Sequence, residues 1–201
     1  MKVYIVRHGE TALNKRGSYY GDLDLPLTEL GIRQGKELSR FLGSLNYKKI
    51  FVSEKKRAQD TAKLICSNQE YFHVDNRLNE RNFGCFEGLT YKEVQYEHPI
   101  EYDLWINDWI HYYPKNGESY FTMCNRVFHF MEELLAEKNQ EDVLLVTHSG
   151  VMRAIYCYVM NKNIELFWKF SCENCDVAIL KYEYGNLFID SIQHCNLNYN
   201  V

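Results

Sequence analysis

Two short apolar runs, far apart in the chain, each end on a histidine. Val3-Tyr4-Ile5-Val6 leads into Arg7-His8-Gly9, and Val143-Leu144-Leu145-Val146-Thr147 leads into His148. Short apolar runs that stop at a polar residue read as buried strands feeding loops. In open α/β sheets ligands bind beyond the strand ends, so two such strands can bring the two histidines face to face. The arginine beside the first histidine points to an anion, because a guanidinium presents a planar fork of donors suited to phosphate oxygens. The pattern implies an enzyme that acts on phosphate.

The rest of the chain alternates in the same way. After a polar loop over 10–27, Thr28-Glu29-Leu30-Gly31 opens a helix carrying Ile32, Leu38, Phe41 and Leu42, and Gly43 stops it. Ile50-Phe51-Val52 reads as a strand, and Ser53 can cap a helix over 54–65 by accepting backbone N–H bonds. A helical stretch over 119–138 places Phe121, Cys124, Val127, Phe128, Met131, Leu134 and Leu135 on one side. Ser149-Gly150 opens a helix through Met160, and alternating segments 177–182 and 187–192 form a hairpin through Tyr184-Gly185-Asn186. This order predicts an α/β fold of three layers, α/β/α. A mostly parallel central sheet carries helices on both faces and a small, mainly helical insertion.

With 201 residues, 46% of them hydrophobic, the chain has material for one good core, so a single domain over 1–201 is expected. A net charge of −4 exerts no global pull on nucleic acid or anionic membranes, so any anion site must be local. No apolar stretch approaches the roughly 20 residues that span a bilayer. Seven cysteines, an odd count, and an opening strand where a signal sequence would carry a charged and then an apolar region predict reduced thiols in the cytoplasm. A homodimer is admitted, since the last strands could bury an edge internally or share it.

Between Asn79 and Glu118 the periodicity weakens and aromatic residues crowd in, which predicts a cap-like insertion at about 82–118 lying over the strand ends. The spacing of Tyr102, Trp105 and Trp109 is helical and reads first as packing on the sheet domain. The sharper alternative is an aromatic lid that stacks on substrate.

Four motifs, in order, resemble those of the histidine phosphatase superfamily, typified by cofactor-dependent phosphoglycerate mutase. They are Val6-Arg7-His8-Gly9-Glu10-Thr11 with Asn14 following; Ser53-Glu54-Lys55-Lys56-Arg57-Ala58-Gln59-Asp60-Thr61-Ala62; Leu78-Asn79-Glu80-Arg81; and Thr147-His148-Ser149-Gly150. Ser149 stands where many relatives have glycine, at a residue whose backbone N–H would be used. The resemblance implies His8 as nucleophile, with Arg7, Arg57 and His148 around the transferring group, Glu80 as the acid that protonates the leaving alcohol, and neither metal nor cofactor. The residues agree with these roles. Phosphoryl transfer needs an unprotonated imidazole, and neighbouring arginines disfavour the imidazolium. Fixed cations would also meet the charge that spreads over the equatorial oxygens.

Without the motif, Arg57 in Glu54-Lys55-Lys56-Arg57 would read as part of a solvated face. Glu87 in Phe86-Glu87-Gly88 competes with Glu80 and reads as a turn anchor. Asn14 and the segment Tyr19-Tyr20-Gly21 are expected to line the other side of the phosphate, the glycine allowing close backbone approach, with Ser149 near them. Asn116-Gly117-Glu118-Ser119 reads as a turn and helix cap. Cys172-Glu173-Asn174-Cys175 resembles half a metal site, with His194 or Cys195 as conceivable further ligands, but no second Cys-x-x-Cys exists and free thiols are the expectation.

The expected partner is a small phosphorylated substrate. A mutase must hold a second phosphate, yet between Arg81 and Lys115 the only lysine or arginine is Lys92, which favours hydrolysis. The same scarcity argues against a sugar bisphosphate, and the aromatic density suits a flat ring. Within the superfamily, Tyr19-Tyr20-Gly21-Asp22 and Leu78-Asn79-Glu80-Arg81-Asn82-Phe83-Gly84 are most similar to the alpha-ribazole phosphatase branch, which implies a nucleotide-like phosphomonoester. A phosphatase of broad specificity, a mutase-like phosphotransferase and a non-catalytic phospholigand binder are the competing readings. The last would be expected to lack one of these histidines, arginines or the acid, and none is missing.

Overall fold

The structure, a computed structural model, describes residues 1–43, 45–66, 71–137 and 140–194. In chain order its elements are β1 (Lys2–Arg7), α1 (Ala12–Arg16), α2 (Glu29–Leu42), β2 (Lys49–Val52), α3 (Lys56–Ile65), β3 (His73–Val74), α4 (Tyr91–Glu97), α5 (Pro99–Asn107), α6 (Tyr120–Ala136), β4 (Val143–Thr147), α7 (Ser149–Val159), β5 (Val177–Glu183) and β6 (Asn186–Gln193). Short 3-10 turns at Asn76–Leu78, Gly84–Phe86 and Ile164–Lys169 connect them. The described strands form one sheet in the order β3-β2-β4-β1-β5-β6. The first four are parallel, and the hairpin β5–β6 adds to β1 antiparallel.

The alternation of side chains along the central strands builds the layers. Val3 and Ile5 of β1 and Val143 and Leu145 of β4 enter one core, with Met123 and Val127 of α6 and Val151 and Ile155 of α7. Tyr4, Val6, Leu144 and Val146 enter a second core on the opposite face, with Leu38 and Leu42 of α2 and Ala58, Ala62 and Ile65 of α3. All five residues of β4 are buried, as a strand covered on both faces requires. Three-layer α/β/α architecture with a mostly parallel sheet is therefore what the chain adopts.

Helix ends follow local chemistry. The Thr28 side chain accepts the Gly31 N–H at the start of α2, a cap that contributes about 1 kcal/mol. Ser119 caps α6 by accepting the Thr122 N–H. The hairpin turns on Tyr184 and Gly185, both at positive φ (54° and 78°), the tight turn whose twist matches the flanking strands. The aromatic segment packs as its spacing predicts. Trp105 of α5 is buried in the larger core, with Tyr102 and Trp109 partly buried against it.

Three apolar positions and one cap depart from expectation. Ile32, Phe41 and Phe121 face solvent. On α2 the inward face is Gly31, Gly35, Leu38 and Leu42, so close helix packing on glycines displaced the larger side chains from the contact. Ser53 does not cap α3. The helix begins at Lys56, the Lys55 position carries no side-chain cap bond, and Ser53 is occupied elsewhere. The predicted end of α6 at Lys138 lies outside the described residues. No helix among the described residues is long and apolar enough to cross a membrane.

Candidate active site

Register places the two histidines. Arg7 lies opposite Thr147 across the β1–β4 ladder, so the next residue on each strand is a histidine leaving the same edge of the sheet. The His8 N–H donates to the Thr147 carbonyl at 2.9 Å, and the two imidazole rings lie 5.1 Å apart, edge to face. Strand β2 ends beside them, where the Ser53 N–H donates to the Val146 carbonyl at 3.2 Å. Three parallel strands thus deliver Ser53, His148 and His8 side by side, in the place where open α/β sheets bind ligands.

The hydrogen bonds of His8 fix its tautomer. Its Nδ1 is 2.7 Å from the Gly9 carbonyl, which can only accept, so Nδ1 carries the hydrogen and Nε2 keeps its lone pair in the neutral ring. The ring is held well below the ordinary imidazole pKa, first by burial and then by Arg57 and Arg7, while the Gly9 bond works in the opposite sense. Burial therefore outweighs the like-charge repulsion expected from sequence. His148, fully buried, is depressed in the same way: burial first, then Arg57, His8, Arg7 and Arg126.

The two arginines are oriented by backbone carbonyls. Arg57 is fully buried and donates to the Leu23 and Gly21 carbonyls, each at 2.9 Å, with Asp24 more distant at 3.8 Å. Its guanidinium carbon lies 4.6 Å over the Tyr20 ring. Arg7 donates to the Cys172 carbonyl at 2.6 Å. Neutral carbonyls aim a guanidinium without cancelling its charge. The Nε of each arginine is buried and has no partner among the described residues, and neither does Nδ1 of His148. Buried polar groups are nearly always satisfied, so the unpartnered Nε–H groups of these two cations point to an anion beside them.

Arg7, His8, Arg57 and Glu80 line a cavity of about 100 Å³ together with Asn14, Tyr20 and Ser149, while His148 is fully buried and is not among the lining residues. That volume is room for a phosphoryl group, several times the ~30 Å³ share of one water. Asn14 uses its Oδ1 to accept from the Thr11 N–H, the Tyr20 hydroxyl and the Asn174 amide, which leaves its own Nδ2 as a donor. The Glu80 carboxyl group rests at the start of α7, accepting the Gly150 N–H at 2.9 Å. A Cβ at position 150 would come within 2.2 Å of the Glu80 carboxylate, so any larger residue there would displace the acid. Ser149 adds its hydroxyl to the same carboxylate at 3.4 Å, a contribution beyond the backbone N–H anticipated for that position.

Gly21 is the exception among the expected lining residues. Its backbone presses on Arg81, where a Cβ would lie 1.7 Å from the carbonyl oxygen, so the close approach it permits is to protein and it does not line the cavity. Its role is indirect, through its carbonyl on Arg57. Glu87 is the turn anchor its sequence suggested: its carboxylate accepts N–H bonds from Gly21, Asp22, Leu23 and Phe83.

Tyr19 lines the cavity as expected, stacked on Phe83 at 5.2 Å and edge-on to Trp105 at 5.3 Å. Sequence reading missed several neighbours, Ser18 and Phe83 of the lining among them. Asn174 donates to the His8 carbonyl at 3.0 Å. Ser53 contacts His148, and Asn79 contacts Ser53. The motif residues flanking Arg57 and Glu80 were the available signal for Ser53 and Asn79; Asn174 had none, since attention fell on the cysteines beside it. Cys172 and Cys175 are buried, and His194 pairs with Asp176 at 2.8 Å. Cys195 lies outside the described residues.

A second cavity of about 380 Å³ shares Glu80 with the first. The cations facing it are already paired with carboxylates: Lys55 with Asp22, Arg77 with Asp75 and Glu133, Arg126 with Glu118.

A family model described as the histidine phosphatase superfamily (branch 1) matches residues 3–194. The chain belongs to that superfamily, and it is a phosphatase. The adenosylcobalamin/alpha-ribazole phosphatase of Escherichia coli K12 is 33% identical over 171 residues, which span 85% of this chain and 84% of the relative. Phosphoserine phosphatase 1 of Hydrogenobacter thermophilus is 32% identical over 185 residues, 91% of this chain and 87% of the relative. The crystal structure of the alpha-ribazole phosphatase from Shigella flexneri superposes with a TM-score of 0.90 at 29% identity, covering 97% of each chain.

The depressed histidines make stability depend on pH. An unfolded imidazole takes a proton near pH 6.5, whereas folded His8 and His148 refuse it until lower pH, so the unfolded chain binds more protons and stability falls as pH drops below about 6.5. Urea unfolding followed from pH 7.5 to 5 should show this loss, and the double variant His8→Asn/His148→Asn should show a shallower one. Equal slopes would mean that the folded rings are charged.

Proposed function

We propose that the chain hydrolyses phosphomonoesters through a phosphohistidine at His8. The carrying observation is that His8, whose hydrogen on Nδ1 leaves Nε2 its lone pair, lines one phosphate-sized cavity together with Arg7 and Arg57. Nε2 attacks phosphorus and the P–O bond to the leaving alcohol breaks, the alcohol taking its proton from Glu80. Water then attacks the phosphorus of the phosphohistidine, giving its proton to the Glu80 carboxylate, and the N–P bond breaks to release phosphate and restore both groups. Arg7, Arg57 and His148 stabilise the charge on the equatorial oxygens throughout. We read the chain as one domain in which segment 82–118 helps to roof this site. Free thiols at Cys66, Cys85, Cys124, Cys157 and Cys172 support a reducing, cytoplasmic setting.

For the substrate we propose alpha-ribazole 5'-phosphate, a nucleotide-like monoester. The support is threefold: two phosphatases named for alpha-ribazole match nearly the full chain, the Tyr19–Phe83 stack borders the cavity, and the adjoining cavity presents cations already paired with carboxylates. A second phosphate would have to displace those partners, which disfavours a bisphosphate and a mutase reaction. The match to phosphoserine phosphatase 1 makes phosphoserine the second reading.

Turnover on alpha-ribazole 5'-phosphate, phosphoserine, 3-phosphoglycerate and a set of sugar phosphates separates these readings. A kcat/KM for alpha-ribazole 5'-phosphate at least tenfold above the others is expected, and comparable values across the set would establish broad specificity. Glu80→Gln should lower kcat/KM by about 10²- to 10⁴-fold on alkyl phosphates and far less on an aryl phosphate, whose leaving group needs no proton. Equal losses on both would remove Glu80 from the acid role.

A further inference from the structure

One amide of the site is held in place by another. Asn14 lines the cavity, and its Oδ1 accepts the Thr11 N–H at 3.0 Å, a bond that only the oxygen end of the amide can accept, so its orientation is fixed. The Asn174 Nδ2 lies 3.0 Å from the His8 carbonyl, which can only accept, so this amide is fixed as well, and its second hydrogen reaches the Asn14 Oδ1 at 3.1 Å. One NH₂ group thus bridges the backbone of the proposed nucleophile and the side chain of a cavity residue, 166 and 160 positions away in sequence. The loop that carries it is stitched to the end of β1. The Arg7 N–H donates to the Asp176 carbonyl at 3.2 Å, the Cys175 N–H donates to the Arg7 carbonyl at 3.2 Å, and the Arg7 guanidinium donates to the Cys172 carbonyl at 2.6 Å.

Four donors lie within reach of the Asn14 Oδ1, and they differ in kind. The Thr11 and Tyr20 hydroxyls can rotate, and they stand 2.5 Å apart, so either can spend its hydrogen on the other. The Thr11 N–H and the Asn174 NH₂ have no such alternative. With Oδ1 occupied in this way, Asn14 Nδ2 has no acceptor among the described residues and is the end of the amide left to a ligand. An amide turned the other way would offer its oxygen to an anion, a repulsive contact, so orientation decides the sign of what Asn14 contributes. We infer that Asn174 is a positioning residue for phosphate binding: by tying the Asn14 Oδ1 to the His8 carbonyl it keeps Asn14 Nδ2 as the donor offered to a phosphate oxygen. The inference rests on the reading of this cavity as a phosphate site.

The test is a double-mutant cycle in the whole protein, with inorganic phosphate as the probe and its inhibition constant against an aryl phosphate as the readout. Asn14→Ala should raise that constant about 10- to 100-fold, the loss of a hydrogen bond to a charged group. Asn174→Ala should raise it about fivefold, with a matching fall in kcat/KM. In the Asn14→Ala background the same substitution should change it by about twofold at most, because no amide is left to orient. Losses that multiply in the double variant would mean that Asn174 acts through the His8 backbone, and they overturn the inference, as does an unchanged constant in Asn174→Ala alone. An unchanged constant in Asn14→Ala also overturns it while leaving the phosphate site standing. Failure of phosphate to inhibit the wild-type protein would overturn the reading of the site itself. Should Asn174→Ala fail to fold, Asn174→Ser, which fills more of the space, enters the cycle in its place.

Discussion

The structure depends on one electrostatic arrangement, in which a buried Arg57 and a half-buried Arg7 stand beside imidazoles, with the nearest carboxylate on Arg57 held off at 3.8 Å. Burying an uncompensated charge is expensive, and a buried arginine is ordinarily paired with a carboxylate. Arg57 and Arg7 are held by the carbonyls of Gly21, Leu23 and Cys172, and Arg57 also lies against the Tyr20 ring. Carbonyl dipoles offset part of the desolvation cost and leave the field of the cation directed at the cavity. The cations around the second cavity, paired with Asp22, Asp75, Glu133 and Glu118, have lost that capacity. The same protein thus uses two kinds of partner for two different ends.

The fold supports this arrangement from behind. Parallel pairing sets the strand ends at one level, so the histidines meet without any long side chain having to reach. The loop that supplies the Gly21 and Leu23 carbonyls is ordered by the Glu87 carboxylate, which gathers its N–H groups, and by backbone contact between Gly21 and Arg81. Glu80 is fixed by the first turn of α7, the helix that begins directly after His148. Acid, cations and imidazoles are therefore registered to one another through backbone groups, which hold position more firmly than flexible side chains.

Much of this was legible in the sequence. Apolar runs ending in His8 and His148 gave the strands and their juxtaposition, because both strand burial and the position of loops follow from local pattern. Arg57 and Glu80 were legible only through the resemblance, since a lysine-rich helix start and a loop glutamate are ordinary surface features. Ser53 was read as a helix cap, which local sequence favours, but the β2–β4 register sets it against His148, a contact between residues 95 positions apart. Gly21 was read as approaching phosphate when it approaches Arg81, and no local pattern could tell one backbone contact from the other. Ile32, Phe41 and Phe121 fit a helical periodicity yet face solvent, because which stripe of a helix packs is decided by its neighbours.

The most direct measurement is to quench the enzyme within milliseconds of mixing with an aryl phosphate, under alkaline conditions that preserve N–P bonds, and to map the modified peptide. The account predicts phosphate on Nε2 of His8 and on no other residue. Phosphate on a different side chain, or turnover with no phosphoenzyme and undiminished activity in His8→Ala, would contradict it.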